Sequence, residues 1–124
     1  MGRWVLGAAA ILLLATAGIH AMGLRMASSW GEGLERPQHL AICLFWIAAA
    51  VGWAVVALIW AVTAWRRGPR WPAAIATLIP LHSALGVLCI DWTFFGGQML
   101  AGSVVLGVLG LVMIGNGPRD RQPS

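Results

Sequence analysis

The stretch HLAICLFWIAAAVGWAVVALIWAVTAW, residues 39–65, runs without an aspartate, glutamate, lysine or arginine. A helix of about 27 residues extends about 40 Å, more than the roughly 30 Å of a bilayer's hydrocarbon core. A helix on the surface of a soluble domain needs a polar face, and this stretch has none. It therefore predicts a transmembrane helix that tilts or projects beyond the bilayer. Trp46, Trp53 and Trp60 recur along it every seven residues. That period keeps side chains near one helix face, giving a tryptophan stripe that packs against a neighbouring helix or faces lipid. Packing material is the simpler use of large aromatics, and a cofactor box is not invoked.

Working outward toward the C-terminus, Arg66, Arg67, Gly68, Pro69 and Arg70 form a short basic turn. So short a turn makes the flanking helices an antiparallel hairpin. Trp65 and Trp71 flank it where an interfacial aromatic belt is expected. Residues 71–90 predict a third helix, with Pro72 in its first turn, where a missing N–H costs little. Pro80, deeper in that run, frees the carbonyl of Ala76 and predicts a kink. Residues 91–98 form a connection rich in aromatics and glycine, followed by a fourth helix over 98–114. Ser103, Gly107 and Gly110 give that helix a small-residue face for close approach to a neighbour. Residues 116–124 read as a short disordered cytoplasmic tail.

Toward the N-terminus, residues 25–38 form a polar connection holding both glutamates, Glu32 and Glu35. Trp30 within it is expected at headgroup level. Residues 5–24 carry no charge until the next polar segment and predict the first helix. A cleaved signal peptide is the rival reading, because Arg3 precedes the run and Ala15-Thr16-Ala17 resembles a cleavage pattern. The run is long for a signal core and continues past the cut. Removal of residues 1–17 would leave three helices.

Composition agrees with these spans. The chain has 124 residues, 60% hydrophobic and 10% charged, with mean hydropathy +0.83. A soluble domain this small has no interior able to hide such an apolar surplus. The expected fold is all-α: one transmembrane four-helix bundle over residues 1–115. The net charge of +4 does not signal nucleic acid, because the arginines lie at the ends of apolar runs, where they act as topology signals. Arg3, Arg66, Arg67, Arg70, Arg119 and Arg121 fall on one side of a four-span arrangement, and Arg25 and Arg36 on the other. Six against two predicts cytoplasmic N- and C-termini in a multi-pass protein of the inner membrane.

Candidate chemistry is sparse. His20, His39 and His82 all fall in the half of the bundle away from the cytoplasm, as does Asp91. Ionisable groups in or beside the hydrocarbon layer are costly and invite a functional hypothesis. His82 is joined by Ser83 and preceded by Pro80, and it could equally serve as hydrogen-bonding glue between helices. His20, His39, His82, Ser83 and Asp91 are the candidate ligand-binding residues. A weaker metal set consists of His39 and Cys43, four apart on one face, with His82 and Cys89, seven apart. Met22 and Met26, also four apart, could add thioether ligands, but no HExxH, CxxC or His-rich tract is present. A haem held between His20 and His82 is disfavoured, because their expected depths differ by about two turns. No hydrolase, P-loop or dinucleotide fingerprint occurs, so the reading leans away from an enzyme and expects no cofactor.

Ile19-His20 followed by Gly23, then Phe45-Trp46, then the basic turn ending in Pro72 resemble a loose group of small uncharacterised bacterial membrane proteins with four predicted spans. That resemblance implies the four-span fold and carries over no catalytic or binding residue. The expected function is a binding or accessory component whose outer half holds a small ligand, lipid or partner helix. Alternatives are a membrane enzyme or a redox or metal component built on His82, and a self-assembling small transporter. Membrane lipids, further copies of the chain or a larger membrane complex are the expected partners.

Overall fold

The computed structural model describes residues 1–66 and 69–115, so Arg67 and the expected tail at 116–124 lie outside the described residues. The regular elements are α1 (Gly2–Met22), α2 (Leu24–Trp30), α3 (Arg36–Trp65), α4 (Trp71–Ala76), α5 (Leu78–Ile90) and α6 (Phe95–Gly115). Four spans, Gly2–Met22, Arg36–Trp65, Trp71–Ile90 and Phe95–Gly115, are long and apolar enough to cross a membrane. The protein is an all-α bundle with the make-up of a multi-pass membrane protein.

Element ends differ from the expected ones in a consistent way. Helices α1, α3 and α6 begin at Gly2, Arg36 and Phe95, about three residues earlier than hydropathy places them. Apolar runs mark where a helix enters lipid, whereas hydrogen bonding continues into the polar interface. Residues 25–38 also hold more structure than a loop, because α2 covers Leu24–Trp30. The break at Thr77 between α4 and α5 lies next to Ala76, whose carbonyl Pro80 deprives of its N–H partner.

Helix α1 packs along both α3 and α6, its two most extensive interfaces, and α5 closes the ring against α6. The core combines alanines with a few large side chains, among them Leu6, Leu13, Val56, Trp60 and Leu100. Large aliphatic residues such as Ile11, Leu44, Leu58 and Val105 point outward. Lipid solvates them as well as protein does, so helix association rests on close packing of small residues. Ser103, Gly107 and Gly110 are buried on α6 as the small-residue face required. A Cβ on Gly110 would lie 2.7 Å from the backbone nitrogen of Leu6, so α6 and α1 touch there backbone to backbone.

The tryptophan stripe on α3 faces inward, and each indole N–H reaches across to another helix. Trp46 donates to the His20 carbonyl at 2.6 Å, and Trp53 to the Ser83 hydroxyl at 3.2 Å. Trp60 donates to the Thr77 hydroxyl at 3.2 Å. A seven-residue period thus ties α3 to α1 at one level and to α4 and α5 at two others. Buried indoles need such partners, because an unsatisfied N–H in a lipid environment has no water to turn to.

Candidate functional site

Four aromatic rings converge where α1, α2 and α3 meet. The His20 imidazole stacks on Trp46 with ring centres 4.0 Å apart and planes 13° apart. Trp53 approaches the same imidazole at 4.7 Å, tilted by 55°. Trp30, from α2, meets Trp46 in a T-shaped arrangement with ring centres 5.5 Å apart. The stack is held from both ends: the Trp46 N–H is anchored on the His20 carbonyl, and the Trp53 N–H on Ser83. Gly23 clears the space, since a Cβ there would come within 2.8 Å of the Trp46 ring.

Within this stack the Nε2 atom of His20 is buried and has no hydrogen-bond partner. Imidazole nitrogens are strong donors or acceptors, and leaving one buried and unmatched costs about 1–3 kcal/mol. The site is thus an aromatic cluster bearing one unsatisfied, enclosed polar atom.

The other candidate residues are spread around this stack. His39, near the start of α3, shares a 3.0 Å hydrogen bond with the Ser28 hydroxyl of α2, which ties the short helix to the bundle. Ser83 joins the stack through Trp53, whereas its neighbour His82 is exposed on α5. Cys43 is half-buried and Cys89 exposed, both as free thiols. Among the described residues, no three His, Cys, Asp or Glu side chains gather closely enough to hold a metal ion. Asp91 is exposed in the turn before α6, where its Oδ1 accepts from the Thr93 hydroxyl at 2.6 Å and the Thr93 N–H at 2.9 Å. The Thr93 hydroxyl, then the Thr93 N–H, hold its carboxyl below the usual carboxylate range.

Trp30, Trp46 and Trp53 are the site residues that sequence reasoning did not assign. For Trp46 and Trp53 the signal was present in the seven-residue period and in the need of each inward-facing indole for an acceptor; Trp30, exposed on α2, stands outside that period. The choice of His20 as the stacking partner depends on helix rotation, which no local pattern encodes. No protein-family model, curated protein or solved structure matches the chain.

Proposed function

We propose that this chain is a small inner-membrane binding or accessory component, with both termini in the cytoplasm, whose outer half binds a small amphipathic molecule at His20. The observation that carries the reading is the buried, unpartnered Nε2 of His20 against two anchored indoles. A hydroxyl, carbonyl or amide on the ligand would satisfy that nitrogen while its apolar body lies against Trp46 and Trp53. Rigid aromatic walls favour binding, because few side-chain rotamers are lost when the ligand arrives. The orientation rests on the arginine distribution, with Arg3, Arg66 and Arg70 at one end of the bundle.

The test uses intact protein extracted in mild detergent, with native mass, metal content and visible absorption recorded together. His20→Phe keeps an aromatic ring in the stack and removes both nitrogens. The expected result is a bound small molecule on the wild-type chain that is lost from His20→Phe. A bound species indifferent to His20→Phe, or a wild-type chain carrying none, would refute the reading.

A further inference from the structure

At the Arg3 end, away from the His20 stack, an apolar groove runs between α1 and α3. Its wider part, about 490 Å³, lies beside Arg3, Trp4 and Trp65. A narrower part of about 240 Å³ shares Gly7, Ile11 and Trp65 with it and continues to Leu14 and Ala54. The floor is made of small residues, including Gly7, Ala10, Ala57 and Ala61.

Length and charge identify what fits. From Arg3 to Leu14 the helical rise is about 16 Å, close to half of the roughly 30 Å hydrocarbon core. The groove therefore spans one leaflet, the depth of a single acyl chain. A partner transmembrane helix would call for a face running the full thickness, and this groove stops at Leu14 and Ala54. At the mouth, Arg3 supplies a positive charge between two exposed indoles, Trp4 and Trp65, which is the arrangement that holds a headgroup at an interface. The described acids Glu32, Glu35 and Asp91 all lie at the opposite end of the bundle, in the connections after α2 and before α6. A second groove on the other side of α3, about 530 Å³ and lined by Leu58 and Val62, ends at Arg66. Apolar groove with terminal arginine is thus repeated at the same end of the molecule.

We propose that the α1–α3 groove is a binding site for an anionic phospholipid, with one acyl chain lying over Gly7 and Ala61 and the phosphate at Arg3. This site is independent of the His20 stack, so either can fail without the other.

The test offers the purified full chain an equal mixture of phosphatidylglycerol and phosphatidylcholine with identical acyl chains and counts retained lipids by native mass spectrometry. Wild type is expected to retain the anionic lipid about fivefold over the zwitterionic one, the effect of one arginine near a membrane surface. Arg3→Gln abolishes that preference while lipid is still retained. Gly7→Leu fills the groove and removes both lipids. A Cβ at Gly7 meets nothing within 4 Å, and Ala61→Leu blocks the groove from the α3 side as a second variant. Gly86→Leu, at an equally open position on α5, leaves retention unchanged. Equal retention of the two lipids by wild type, undiminished lipid on both blocking variants, or a second copy of the chain in place of lipid would each overturn the proposal.

Discussion

Replacing Gly107 by alanine tests how the bundle is held together. A Cβ at this position would lie 2.5, 2.6 and 2.9 Å from three atoms of the Trp60 benzo ring. Ordinary carbon contacts lie near 3.5–4.0 Å, so relief demands a shift of about 1 Å. Trp60 has little freedom to give way. Its ring is fully buried and its N–H is held by Thr77. Overpacking of this kind costs about 1–3 kcal/mol, a large share of the stability of a chain this size. Gly107→Ala should lower the unfolding free energy by that amount, measured by reversible denaturation in mixed micelles. Trp60→Phe removes the benzo-ring atoms that would be struck, at the cost of a void and of the Thr77 hydrogen bond. In the double variant the Gly107→Ala penalty should therefore shrink by at least about 1 kcal/mol, a coupling expected between touching residues. A neutral Gly107→Ala, or a penalty equally large in the Trp60→Phe background, would refute the packing argument.

Gly110→Ala should destabilise at least as much as Gly107→Ala in the same assay, because its added carbon meets the Leu6 backbone, which has no rotamer to change. Asp91 should titrate below the usual carboxylate value of about 3.9, since Thr93 favours its charged form. A depressed folded-state value means the turn keeps this stabilisation above the unfolded value and loses it as pH falls through the folded one. The Thr93 amide resonance should accordingly stay constant from neutral pH to about pH 5 and move only under stronger acid. Residues 1–17 should be retained in the mature protein, as an intact mass would show, because Leu6, Ala9, Ala10, Leu13 and Ala17 supply much of the core. Finally, a thiol introduced by Arg70→Cys should be shielded from impermeant label added outside intact cells, and its labelling there would reverse the proposed orientation.

Much of the architecture was legible before any contact was known. A hydrocarbon layer demands long uncharged runs with internally satisfied backbones, so residues 39–65 and their counterparts announce four spans by length alone. The Pro80 break and the small-residue face of Ser103, Gly107 and Gly110 follow from backbone chemistry and were readable for that reason. Helix α2 was hidden, because seven residues of mixed polarity leave no clear periodic signal.

The candidate site was less legible, since its chemistry arises between helices. The sequence by itself determined that His20 and the tryptophans at 46, 53 and 60 stand on helices of membrane-spanning length, with each series on its own face. Only the tertiary structure decided that Trp46 turns onto His20, that Ser83 rather than His82 joins the stack, and that small residues of α1 and α3 line a groove near Arg3. Those choices depend on how far each helix is rotated and how closely small residues let backbones approach. They are set by packing among residues distant in the chain, and hydropathy, nearly uniform around these helices, carries no record of them.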